Sequence, residues 1–189
     1  MTLNILIVGV GGQGTLLASR VLGAYASIKG LDCKLSEVHG MSQRGGSVVT
    51  HVRLGESVLS PIISEGEADF ILAFEKLEGL RWSHYLKKGG TMLVNNQEIL
   101  PMPVIIGAQS YPQGVFERLT AEGKSYKIVE GLKLAAEAGN TKAVNVVLLG
   151  VLFQLMGETL QVAEQAVQAS VPAKVLEINR KAVALGYQN

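Results

Sequence analysis

The chain has 189 residues, 48% of them hydrophobic, which suits one compact domain, 1–189, with a full core. Its formal net charge of +1 excludes an electrostatic case for nucleic acid or an anionic membrane surface, so any basic site must be local. The single cysteine, Cys33, excludes a disulfide framework, and equally an iron–sulfur or zinc site ligated by this chain's cysteines alone.

In chain order, Leu3–Val8 reads as a buried strand that runs straight into a glycine cluster. It is short and lacks a basic flank, so it reads as neither a leader nor a span. No stretch approaches the ~20 apolar residues of a membrane helix, and the expected compartment is the cytoplasm. Thr15–Lys29 carries a helical stripe (Leu16, Ala18, Val21, Leu22, Tyr25, Ile28), ended by Gly30. Cys33–Val38 predicts a second strand, followed by the polar, glycine-rich loop His39–Gly46. Val48–Leu54 alternates, with Val49, His51 and Arg53 on one side, which predicts an edge strand or a lid over a cleft. Ala68–Phe74 predicts a strand, Lys76–Lys87 a helix, Gly89–Gly90 a turn and Thr91–Asn95 a strand. Further along, Gly114–Ala121 predicts a helix, Ser125–Val129 a strand and Glu130–Ala138 a short helix. From Thr141 onward the chain reads as helical: Thr141–Met156, Thr159–Ala169 and Pro172–Ala184.

This alternation predicts an α/β fold: a Rossmann-like, doubly wound, mostly parallel sheet with a helical C-terminal segment. Ligands of such sheets bind beyond the carboxyl ends of the strands. The turn Gly9-Val10-Gly11-Gly12-Gln13-Gly14 and the His39–Gly46 loop both follow strands, so they belong to one edge and face one ligand site.

A strand–turn–helix of this kind presents backbone N–H groups and the positive end of a helix dipole, which suits phosphate. The Gly9-x-Gly11-x-x-Gly14 spacing also fits a dinucleotide fingerprint, with Glu37 placed where a ribose-binding acid falls. Gln43 and Arg44 lie in the basic, glycine-rich loop that follows, and an arginine beside backbone amides suits a phosphate or carboxylate. Asn140 or Thr141 would cap a helix. Asn145, inside the apolar run Ala143–Leu149, needs a polar partner, either backbone or ligand. No serine elbow, paired carboxylates or metal-spaced histidines form a self-sufficient catalytic set.

Three blocks together carry a family likeness: Gly9-Val-Gly-Gly-Gln-Gly14, Glu37-Val-His-Gly-Met-Ser-Gln-Arg-Gly-Gly46 and Ser47-Val-Val-Thr-His-Val-Arg53. They resemble the gamma subunit or domain of the 2-oxoacid:ferredoxin oxidoreductases, and within that family the beta subunit of the indolepyruvate type. Ser60-Pro61, Gly66–Asp69 and Gly139–Gly150 extend the likeness over nearly the whole chain. The resemblance implies oxidative decarboxylation of a 2-oxoacid on thiamine diphosphate. Two electrons pass through iron–sulfur clusters to ferredoxin, and an acyl-CoA is released. It implies that thiamine and clusters sit on a larger partner subunit, and that this chain, inactive alone, shapes the coenzyme A side of a shared site. By motif position, Gly9, Gly11, Gly12, Gln13, Gly14, Gln43 and Arg44 would fall near the CoA phosphates, with Asn140 and Asn145 across the cleft. Two other readings stay open: a stand-alone NAD(P)-binding oxidoreductase, and a scaffold whose apolar helical tail docks a partner. Stoichiometry and the identity of the 2-oxoacid also stay open, and a homodimer of the isolated chain is one of the assemblies allowed.

Overall fold

The computed structural model describes residues 2–39 and 45–189. Gln43 and Arg44 of the expected site lie outside the described residues. The strands are β1 (Leu3–Val10), β2 (Asp32–His39), β3 (Ser47–Gly55), β4 (Ala68–Ala73), β5 (Leu86–Asn95) and β6 (Tyr126–Val129), joined in one sheet of order β2-β3-β1-β4-β5-β6. β1, β4, β5 and β6 pair in parallel, and β3 pairs antiparallel with both β1 and β2. The sheet is therefore mixed: β3 alone runs against the others. The helices are α1 (Thr15–Lys29), α2 (Lys76–Arg81), α3 (Met102–Ile105), α4 (Val115–Ala121), α5 (Gly131–Ala138), α6 (Val144–Leu155), α7 (Leu160–Gln168) and α8 (Leu176–Gln188).

The two faces of β1 separate two cores, as the period-2 alternation of a strand requires. Ile5 and Ile7 pack with α1 and the C-terminal helices, including Leu148 and Val151 of α6. Leu6 and Val8 pack with Val115 and Leu119 of α4 and with Ile63. α6 is buried at ten of its twelve positions, so it has no solvent stripe and forms the centre of the first core. Truncating Leu148, which is fully buried, to alanine is expected to cost about 2–5 kcal/mol. α1 ends as its sequence predicts: the Gly30 N–H closes the last turn onto Ala26 and Ser27 in a left-handed cap.

Two expectations are corrected. β3 is an interior strand, not an edge, because β1 and β2 pair with it on either side, and the segment 56–67 folds over its second face. Ile63 is buried there, and its N–H donates to His51 Nδ1 at 3.2 Å. Arg53 braces the same segment by donating to the carbonyls of Ser60 and Ile62 at 3.1 and 3.2 Å. The predicted helix 76–87 stops at Arg81, passes through a 3-10 turn at Ser83–Tyr85, and gives way to β5 at Leu86. Gly89 and Gly90 consequently lie within β5, beside a register shift against β4.

Candidate functional site

The parallel strands β1, β4 and β5 end on one edge, and the chain after β1 turns sharply there into α1. Gly12 and Gly14 take left-handed conformations with φ of 101° and 83°. Such values strongly favour glycine. A Cβ on Gly12 would meet nothing within 4 Å, so its backbone stands open to a ligand. A Cβ on Gly14 would come within 2.4 Å of Asn145 Nδ2. Gly11 donates to Gly46 O at 2.9 Å and accepts from Gly45 N at 3.4 Å, which ties the turn to the chain entering β3. Gln13 bridges β1 to β4: its Nε2 donates to Phe74 O at 3.0 Å and its Oε1 accepts from Val10 N at 2.8 Å. Among the described residues no side chain caps α1 and no acid sits in its first turn, so the dipole of this 15-residue helix is unscreened at the cleft.

A second helix starts against the first. Asn140 Oδ1 accepts from Lys142 N at 2.9 Å and caps a 3-10 turn, Thr141–Ala143, that leads into α6. Asn145, 4% exposed, donates from Nδ2 to Gly14 O at 3.2 Å, while its Oδ1 accepts from Val146 N at 2.9 Å. The partner that Asn145 required is thus backbone, and it fixes the start of α6 beside the start of α1.

Two cavities of about 390 Å³ each meet at Gly12 and Gly14. Both fall within the roughly 300–1,000 Å³ range of small-molecule sites. The first is walled by Gly11, Thr15, Leu16, Val48 and Glu37, whose carboxylate accepts from Thr50 Oγ1 at 3.2 Å. The second is walled by Gln13, Phe74, Gln97, Leu132, Lys142 and Asn145. Of the expected site residues, Gly11, Gly12, Gln13, Gly14 and Asn145 line these cavities. Gly9 lies behind them, buried in β1, where a Cβ would come 2.9 Å from Gln13 Oε1 and 3.1 Å from Phe74 Cβ. Asn140 acts as the cap.

Sequence reasoning passed over Gln97, Leu132 and Lys142. Lys142 was legible as a cation two residues past a capping asparagine. Gln97 had a weaker signal, a polar residue shortly after a parallel strand; Leu132 had none.

Behind the cleft, α2 carries two buried carboxylates, Glu75 and Glu78, 1% and 2% exposed. Glu75 caps α2 by accepting from Glu78 N at 2.9 Å, and also accepts from the Tyr111 hydroxyl at 2.5 Å and from Ile99 N at 3.3 Å. Burial pushes the Glu75 carboxyl above its usual range, against the hydrogen bond from Tyr111. Burial, with the neighbouring Glu75, raises the Tyr111 hydroxyl as well. Glu78 accepts from Ser47 Oγ at 2.5 Å and from Arg81 Nη1 at 2.7 Å. The acid-x-x-Glu spacing of a helix start is the sequence signal for this pair.

The described residues contain no group of three or more His, Cys, Asp or Glu side chains arranged to hold a metal ion. Among the described residues no helix is long and apolar enough to cross a membrane.

The model of the family described as pyruvate ferredoxin/flavodoxin oxidoreductase matches residues 4–189. An indolepyruvate oxidoreductase subunit IorB from Thermococcus kodakarensis is 43% identical over 188 residues, 97% of this chain and 93% of that protein. The keto/oxoacid ferredoxin oxidoreductase gamma subunit of Geobacter sulfurreducens superposes with a TM-score of 0.73 at 26% identity, over 98% of this chain and 96% of that one. At 19% identity the fold is also shared, with a TM-score of 0.74, by the 2-oxoglutarate:ferredoxin oxidoreductase of Magnetococcus marinus, solved with 2-oxoglutarate, coenzyme A and succinyl-CoA bound. That match covers 99% of this chain and 30% of the longer one.

Proposed function

The chain belongs to the pyruvate ferredoxin/flavodoxin oxidoreductase family and is a subunit of a 2-oxoacid:ferredoxin oxidoreductase of the indolepyruvate type, and from this premise we propose that it holds the coenzyme A of that enzyme. The observation that carries the proposal is the convergence of two helix starts, those of α1 and α6, on the open backbone of Gly12, with Lys142 beside them. Two helix dipoles and one ammonium make a site for a diphosphate. Arg44 is assigned to the same phosphates. The two cavities on either side of the turn give the long CoA molecule room to lie across it, with Glu37 accepting hydrogen bonds from its hydroxyls on the first side.

Thiamine diphosphate and the iron–sulfur clusters are assigned to a larger partner subunit, which passes electrons to ferredoxin, in keeping with a chain that has one cysteine. This chain's contribution to the reaction is then positional. The phosphates would be held at the turn and the thiol end directed toward the partner's acyl group, where a 2-oxoacid and CoA become acyl-CoA and carbon dioxide as two electrons and the thiol proton leave. We place the assembly in the cytoplasm.

The fold itself argues against a nicotinamide site. In the usual order the acid-bearing second strand lies next to the first. Here β3 intervenes between β1 and β2, so Glu37 is carried one strand, about 4.8 Å, farther from the turn.

The test is indolepyruvate- and CoA-dependent ferredoxin reduction by the complex reconstituted with its large subunit. Lys142→Ala and Arg44→Ala are each expected to raise the CoA KM about tenfold, as a charge-assisted phosphate contact is worth roughly 1.5–3 kcal/mol, with the indolepyruvate KM unchanged. Full activity of the large subunit alone, or NADH binding by the isolated chain with none for CoA, overturns the reading.

A further inference from the structure

α2 is too short to be a strong element, yet it buries two carboxylates, and each reaches a different wall of the cleft. From Glu75 the contacts run to Ile99 N and the Tyr111 hydroxyl. Beside them Lys76 N donates to Gln97 O at 3.0 Å, and the Gln97 side chain accepts from Asn95 Nδ2 at 3.0 Å. Glu75 therefore clamps the whole connection that leaves β5 with Gln97 and returns at Tyr111. That connection holds no regular element except the one-turn α3, whose residues are all exposed or half-buried, so its own packing does little to place it. Gln97 walls the second cavity.

From Glu78 the contact runs the other way, to Ser47 at the start of β3. Ser47 precedes Val48 of the first cavity and follows Gly45 and Gly46, which bond to Gly11 of the turn. Neither carboxylate lines either cavity.

Two buried carboxylates, one capping a short helix and one within it, are an expensive way to hold a protein together, since desolvation opposes both charges and apolar packing would serve stability as well or better. What charged acceptors add is direction. A carboxylate that takes donors both from its own helix and from a distant segment fixes the two relative to one another, where apolar contacts leave them free to slide.

We infer that Glu75, with Tyr111, and Glu78 are positioning residues for the coenzyme A site: Glu75 sets the Gln97 wall of the second cavity, and Glu78 sets the Ser47–Val48 wall of the first. The inference rests on the coenzyme A reading above and adds how that site is kept in shape from behind. Its consequence is separability. Loosening one clamp moves one wall, leaving the other wall and the fold in place.

The experiment uses the reconstituted complex and four variants: Glu75→Gln, Tyr111→Phe, Glu78→Gln and, as a direct contact, Lys142→Ala. CoA KM, 2-oxoacid KM, turnover at saturating CoA and amide hydrogen exchange are read for each. Glu75→Gln and Tyr111→Phe are each expected to raise the CoA KM about fivefold or more, since small displacements of positioning groups carry effects of that order. The 2-oxoacid KM and turnover should stay unchanged, with faster exchange confined to residues 96–111. Glu78→Gln should raise the CoA KM with faster exchange at residues 45–50 instead. Tyr111→Phe removes one hydroxyl and keeps the buried ring, so it carries the test should Glu75→Gln fail to fold. If Lys142→Ala raises the CoA KM while Tyr111→Phe and Glu78→Gln leave it unchanged, the positioning inference falls and the coenzyme A reading stands. If no variant moves the CoA KM, the coenzyme A reading falls and the inference with it. Exchange that rises evenly over the chain, together with a fall in Tm, reduces the pair to structural ballast and also overturns the inference.

Discussion

The cavity beside Glu37 and the cavity beside Lys142 have the glycine turn as their common wall and nearly equal volumes, yet their chemistry is opposite. The first is flanked by β2 and β3 and offers a carboxylate, a threonine and the apolar faces of Leu16 and Val48. The second is flanked by the start of α6 and offers an ammonium, three side-chain amides and the end of a helix dipole. A ligand uniform in charge would suit one and be repelled by the other. A ligand with phosphates at one part and hydroxyl donors at another suits both, which is what separates a coenzyme from a simple anion here.

The largest expected effect comes from one of the two glycines that the cavities share. Gly12→Val adds a branched side chain where the backbone stands open, at a φ that costs a side chain roughly 1–2 kcal/mol. It should close both cavities at once and raise the CoA KM by about two orders of magnitude; a smaller rise than that of Lys142→Ala would show that the ligand does not cross the turn. Gly14→Ala separates support from contact. Its Cβ would collide with Asn145 Nδ2, so it should lower the unfolding free energy by about 1–3 kcal/mol in urea titration. Glu37→Gln tests the first cavity alone, because the amide keeps an acceptor and removes the charge. A rise in CoA KM of about threefold is expected, the worth of one modest hydrogen bond. A fall would mean that the carboxylate repels a phosphate there.

The smallest effect concerns the strand behind the first cavity. Burial lowers the His51 pKa below its ordinary 6.5, and its Nδ1 accepts from Ile63 N. Between the lowered folded value and 6.5 the unfolded chain binds the extra proton, so stability is present above 6.5 and is lost as pH falls through the folded value. Wild-type protein should therefore lose more stability between pH 7.5 and pH 5 than His51→Gln, by urea titration at each pH. Equal losses would show that the segment 56–67 does not lean on the histidine.

Much of the frame was legible from local pattern. α1 could be bounded by a glycine on either side, and Ala68 and Ser125 lie at or next to true strand starts. What was not legible depended on contacts far along the chain. The alternation of Val49, His51 and Arg53 looked like a wet face because nothing nearby in sequence announces that Ile63 returns to cover it. Gly89 and Gly90 looked like a turn because turns and strand irregularities both favour glycine. At the site, the sequence marked Gln13 as a polar group by the ligand and Asn145 as one in need of a partner, and the structure gives both of them backbone partners. Polarity reveals that a bond must form, not whether a ligand or the fold supplies the other half. Glu75 and Glu78 act from behind the cleft, so no ligand-binding pattern could single them out.

The reversal of β3 also has a consequence for how the molecule comes together. β2 takes its sheet hydrogen bonds from β3 alone, and the two strands are joined by one short connection. They can pair as a hairpin while the rest of the chain is still open. The parallel pairing of β1 with β4, which matches Ile5 with Phe70, must wait for a long loop to close. Pulsed hydrogen exchange during refolding should accordingly protect the β2–β3 amides before those shared by β1 and β4. The glycine turn, which lies between the early pair and the late one, would then be the last part of the first wall to take shape.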